Sequence, residues 1–296
     1  MTFDTKQNKD TKQNKDTKQN KDTKQNKDTK QNKDTKQNKD TKQNKESIIM
    51  FTTLKNRYEQ GYRTCNYPQE KPAVFSRYRG RPVVQKDAPQ EIMEACAAAC
   101  PQDAIDTNTK KIDMGRCIFC GTCEQISQGR FVRFTGDFEI ATAQKDHLIT
   151  DGDLPSLAEH SKQHFKGLFG KSLQLRQVSA GGCNACEADL NVLATPFFDL
   201  ARFGINFVAS PRHSDGIVVT GPVSRNMRTA LLKTYEAIPE PKVVIAVGSC
   251  TLTGGPFVGS PEISEGLDTI LPVDLFIPGC PPHPLTNLHA LLTFFK

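Results

Sequence analysis

Four cysteines and the runs that precede them limit what this chain can become. They are Cys183 and Cys186 in AGGCNACE, Cys250 in VGSC and Cys280 in IPGCPP. Each group follows a short apolar run of strand type: LQLRQV, VVIAVG and VDLFIPG. In a parallel sheet such strands end at one edge, where open α/β folds place their ligands. Four thiolates from separate loops then meet at one centre, and thiolates suit iron–sulfur clusters, zinc or copper(I). Taken singly, each cysteine also reads as a small buried apolar side chain. The set reads otherwise, because all four lie in Gly- or Pro-rich segments of the kind that wrap a ligand.

The strand runs LQLRQV, GINFVAS, GIVVTG, KVVIAVG and VDLFIPG alternate with helical stretches at 187–193, 224–238 and 284–295. That alternation predicts an α/β unit over 172–296, a parallel sheet with helices on its faces. Residues 151–171 mix Gly, Pro and charge and read as a linker. Residues 50–150 form a first folded unit, opened by the mildly amphipathic MFTTLKNRYEQGY. That segment suits a membrane surface, a partner subunit or ordinary surface packing.

Within 50–150 stand CAAACP and CIFCGTC. Bacterial ferredoxins use C-x2-C-x2-C-x3-C-P twice, and the fourth cysteine of each run ligates the other run's cluster. On that template the first run falls on Gln90, Met93, Cys96 and Cys100, and the second on Cys117, Cys120, Cys123 and Ser127. One crossed set, Cys117, Cys120, Cys123 and Cys100, keeps every thiol. The other, Gln90, Met93, Cys96 and Ser127, keeps one. The unit is therefore expected to hold one [4Fe–4S] cluster and to lack the second. A four-cysteine zinc site would show two separated C-x2-C knuckles instead. Cys96 is then a remnant thiol, and Cys65, which has no partner spacing, reads as structural or idle.

Charge excludes one class of partner. Residues 1–49 hold 14 Lys and 8 acidic residues, and beyond them 25 basic and 25 acidic residues cancel, so the net +6 sits in the tail. The folded part has no basic excess for nucleic acid. From Asp4 to Lys45 one hexamer, Asp-Thr-Lys-Gln-Asn-Lys, repeats seven times without an apolar residue. This tail is expected to be disordered. It reads as a neutral expansion, as a start placed upstream of Met50, or as a basic tether. No export leader and no run of membrane-spanning length is visible, and ten cysteines in such a chain point to metal rather than disulfides.

The segments MFTTLKNRYEQGY, PAVFSRYRGRP and RCIFCGTCEQ resemble the ferredoxin-type subunits of formate hydrogenlyase and respiratory complex I. Residues 172–296, through GGCNACE, FFDLARFGINFVASPRHSDGIVVTGPVSRNMR, VGSC and PGCPP, resemble the small subunit of group 4, membrane-associated [NiFe] hydrogenases. They also resemble the related complex I subunit. The resemblance implies a fusion of two subunits: a small α+β ferredoxin-like domain before a flavodoxin-like parallel-sheet domain. It further implies a second [4Fe–4S] cluster on Cys183, Cys186, Cys250 and Cys280. Complex I subunits carry two adjacent cysteines where this chain has C-x2-C, which favours the hydrogenase branch. Two clusters consume eight of the ten thiols. A Ni–Fe centre with its four cysteines then belongs to a separate large subunit. The expected role is an electron-transfer subunit, peripheral on the cytoplasmic side of the inner membrane, joined by other electron-transfer and membrane subunits. Alternatives are a complex I-like quinone-reducing module without Ni–Fe and a soluble ferredoxin-like carrier. Glu187 reads as a proton relay or as a first-turn helix acid. Arg212 and His213 are possible contacts to a cluster sulfur or a partner.

Overall fold

The computed structural model describes residues 49–61, 63–158 and 172–295. The repeat tail and most of the expected linker lie outside these residues. Contacts divide the chain into two units that meet between Arg63 and Thr64. In the first, a helix runs over 49–60 and leaves Phe51, Leu54 and Tyr58 exposed. Among the described residues no helix is long and apolar enough to cross a membrane.

In the second unit, five strands form a parallel sheet: β6 (Leu173–Ser179), β7 (Ile205–Phe207), β8 (Gly216–Thr220), β9 (Val243–Val247) and β10 (Leu275–Ile277). Their order is β7-β6-β8-β9-β10. Numbered from the first strand of this sheet, that is the flavodoxin-like order 2-1-3-4-5, whose switch point lies between its first and third strands. The central strands GIVVT and VVIAV are buried throughout, as expected of parallel strands covered on both faces. Alternate residues point to opposite sides. Val218, Val243, Ile245 and Val247 meet Leu190, Leu288 and Leu291 on one face. Ile217, Val219, Val244 and Ala246 meet Leu231 on the other. The helices Ala185–Val192, Arg225–Glu236 and Pro284–Phe295 supply those partners.

Ahead of this sheet, β1 (Pro82–Val84) pairs antiparallel with β4 (Val132–Phe134). β2 (Ile105–Asp106), β3 (Lys111–Asp113) and β5 (Ile149–Thr150) form a three-stranded antiparallel sheet. The helices Gln90–Ala98 and Thr122–Ser127 pack together beside them. This is a small α+β lobe with two strand–helix–strand halves.

The lobe is welded to the parallel sheet. Met114, Ile140 and Leu148 belong to the core of one sheet face, and Tyr67, Phe138 and Leu157 to the core of the other. Thr142 exchanges two backbone hydrogen bonds with Phe276 at the β10 edge, 3.0 and 2.8 Å. The start of the expected linker is packed: Asp151 pairs with Lys86 at 2.6 Å, and its carbonyl accepts from the Val84 N–H at 2.9 Å.

Candidate functional site

The lobe's cysteines come from two places in the chain. Cys100 ends the segment after the helix Gln90–Ala98. Cys117 and Cys120 lie in the loop before Thr122–Ser127, and Cys123 is in that helix's first turn. All four line one cavity, walled by Ile105, Ile112 and Phe134. The Ala104 N–H points at Cys100 Sγ (3.4 Å) and the Phe119 N–H at Cys117 Sγ (3.3 Å). Donors of this kind favour sulfur carrying negative charge. Burial pushes the Cys117 thiol up to about 12, with repulsion from Cys123, Cys100 and Cys120 adding to it against the Phe119 N–H. Burial first, then Cys96, pushes Cys123 up to about 12. Thiols so placed ionise together only when a cation takes their charge.

Cys96 stands apart. It is fully buried, gives its thiol hydrogen to the Cys123 carbonyl (3.4 Å), and packs with Met93 and Phe131, with Ser127 as a hydrogen-bond neighbour. Three positions of the incomplete crossed set, Met93, Cys96 and Ser127, are buried side chains of the lobe. Cys96→Ala is expected to leave iron content unchanged and to lower stability by about 1–2 kcal/mol through the small void it leaves. Paired iron analysis and a denaturation midpoint check this.

The second quartet gathers at the C-terminal edge of the parallel sheet. Cys183 and Cys186 follow β6, Cys250 follows β9 and Cys280 follows β10. Burial raises Cys186 first, with Cys250, Glu187, Cys280 and Cys183 adding repulsion. Cys250 is pushed up to about 11 by burial, then by Cys280 and Cys183. Cys280 is raised by burial and by Cys183. Two of these residues are not in loops, contrary to the sequence reading: Cys186 lies in the helix Ala185–Val192, and Cys250 in a five-residue helix, Ser249–Thr253. Gly248 takes φ +89°, and a Cβ there would stand 2.6 Å from Cys186 Sγ. Gly255 takes φ +53°, and a Cβ there would be 3.0 Å from Cys250 Sγ. Both glycines are packed against sulfur. The GS and GG pairs around Cys250 are their only trace in the sequence.

Glu187 is buried, and its Oε1 accepts from the Thr220 hydroxyl at 2.8 Å. Arg212 and His213 precede β8, at the edge opposite the cysteines, and are exposed. A parallel strand separates its two ends by its full length, so these two residues and the cysteines lie at different ends of the sheet. Among the described residues, no three His, Cys, Asp or Glu side chains converge closely enough for a single metal ion.

Residues 183–294 match the family model for the 20 kDa subunit of NADH:ubiquinone oxidoreductase. A probable membrane-bound hydrogenase subunit of Pyrococcus furiosus is 43% identical over 124 residues, which cover 42% of this chain and 74% of that protein. The chain belongs to the 20 kDa subunit family. Subunit 7 of Escherichia coli formate hydrogenlyase, another relative, is 43% identical over 120 residues, 40% of this chain and 47% of its own length. A subunit of the Clostridium beijerinckii NADH-quinone oxidoreductase is 46% identical over 113 residues, 38% of this chain and 67% of its own length. The part of the chain that carries this family's likeness holds all of the second quartet and none of the first. Iron–sulfur content is typical of the 20 kDa family.

Proposed function

We propose that this chain is the iron–sulfur electron-transfer subunit of a membrane-associated hydrogenase complex of the formate hydrogenlyase type. In this reading Cys100, Cys117, Cys120 and Cys123 hold one [4Fe–4S] cluster, and Cys183, Cys186, Cys250 and Cys280 hold another. The observation that carries it is the gathering of eight of the ten thiols into two quartets, each closed by elements distant in sequence. The lobe's C-x2-C-x2-C run with its distant Cys-Pro is the iron–sulfur pattern, whereas a four-cysteine zinc site shows two separated C-x2-C knuckles. A [4Fe–4S] cubane accepts and releases single electrons. The protein's own part is to hold the thiols, to aim N–H donors at sulfur and to keep water off the apolar walls.

The two thiols left over, Cys65 and Cys96, are buried in different cores and cannot form a third site together. The catalytic metal is therefore assigned to a large partner subunit, Ni–Fe in the hydrogenase reading. We place the chain peripherally, on the cytoplasmic side of the membrane. The domain plan is a repeat tail (1–49), a ferredoxin-like domain (50–150), a linker (151–171) and the small-subunit domain (172–296). A complex I-like quinone-reducing module is the second reading, favoured by the 46% identity to a subunit of that enzyme. Anaerobic purification of the native complex separates the two. About eight iron and eight sulfide per chain are expected, with nickel in the partner for a hydrogenase and none for a quinone reductase. Colourless, zinc-containing protein would refute both.

A further inference from the structure

The short helix Ser249–Thr253 joins the two quartets. Ser249 is almost completely buried, and its hydroxyl donates to the Cys117 carbonyl at 2.8 Å. The Gly279 carbonyl, next to Cys280, lies 3.2 Å from the same hydroxyl. That carbonyl is already taken by the Ser249 N–H at 2.9 Å, so the hydroxyl's shorter bond is the one to Cys117. One turn on, the Thr253 hydroxyl reaches the Gly115 carbonyl at 3.2 Å. The chain segment of one ligand loop, Gly115 to Cys117, is thus held by two hydroxyls of the helix that carries Cys250.

We propose that Ser249 is a positioning residue that fixes the separation of the two cysteine quartets, its hydroxyl being the single hydrogen bond in an otherwise covalent path from Cys117 to Cys250. This rests on the two-cluster reading for its electronic consequence and on geometry alone for its mechanical one. A buried hydroxyl without an acceptor is costly, and so is a buried carbonyl without a donor. The bond therefore favours one spacing over its neighbours. Two sites read by electrons gain from a fixed spacing, because a loose junction spreads the distances between them.

The test uses the full chain, isolated anaerobically, as wild type, Ser249→Ala and Ser249→Thr. Hydrogen exchange of 115–120 and 249–254 reads the junction. Iron content and the spin–spin splitting in the spectrum of the fully reduced protein read the quartets. Ser249→Ala is expected to keep its iron, to exchange roughly five- to tenfold faster in those segments, and to show an altered splitting. Ser249→Thr, which keeps the hydroxyl, is expected to restore both. Wild-type exchange, or an unaltered splitting, in Ser249→Ala overturns the proposal. Wild-type protein without iron refutes the electron-transfer reading instead, and the exchange of the apo chains then decides the junction by itself.

Discussion

Cys100→Ala, Cys117→Ala and Cys186→Ala are each expected to lower iron from about eight to about four per chain, and the Cys117→Ala/Cys186→Ala pair to about zero. The argument is one of charge. Each quartet is a set of thiols whose burial and mutual repulsion oppose ionisation, and Cys117, Cys123 and Cys250 all stand well above the ordinary thiol. A polycation relieves that opposition, and four thiolates share the work. Removing one leaves an iron corner without its sulfur and three thiols without enough positive charge between them. Cys100 is the informative member, because it comes from the first cysteine run and closes the cavity of the second. Iron and sulfide analysis on anaerobic protein reads the result. Loss of iron in Cys96→Ala but not in Cys100→Ala would show that the ligands are crossed differently from the arrangement drawn here.

Gly248→Ala is expected to remove the second cluster and spare the first, again near four iron, without touching a ligand. Two costs coincide at this residue. At φ +89° and ψ 151°, a region essentially confined to glycine, an L side chain is strained by about 1–3 kcal/mol. The new Cβ would also stand 2.6 Å from Cys186 Sγ, a distance at which sulfur must move. Gly259→Ala separates the two effects. It shares a positive φ, +85°, and has nothing within 4 Å of the added carbon. It should lose stability alone and retain about eight iron. Equal iron in both variants would mean that the cysteine loop yields freely.

The residues that made these sites legible in the sequence are of two kinds. Runs such as GIVVT and VVIAV announce buried parallel strands, since few other settings accept so apolar a run with no alternating polar face. All five expected strands are present, and their C-terminal ends bring Cys183, Cys186, Cys250 and Cys280 together. The spacing C-x2-C-x2-C and the distant Cys-Pro gave the crossed set of the lobe. The helix Ser249–Thr253 was not legible, because SCTLT is short, rich in β-branched residues and without helical period. It forms because Gly248 turns the chain and the hydroxyls of Ser249, Thr251 and Thr253 find carbonyls. The packing of the lobe on both sheet faces was hidden for another reason. Tyr67, Phe138 and Leu157 are scattered singly through polar sequence, and isolated apolar residues do not reveal which core they enter.

The shared cores have a kinetic meaning. Two subunits that meet by association separate on dilution according to their dissociation constant, and exchange between them then waits for an encounter. Here the two thiol sets sit on one chain, with Met114, Ile140 and Leu148 sealed beneath one side of the sheet and Phe138 beneath the other. Their mutual distance obeys no mass action. In the two-cluster reading proposed above, traffic between them keeps the same rate from micromolar to single-molecule concentration, and it ends only when the fold itself does.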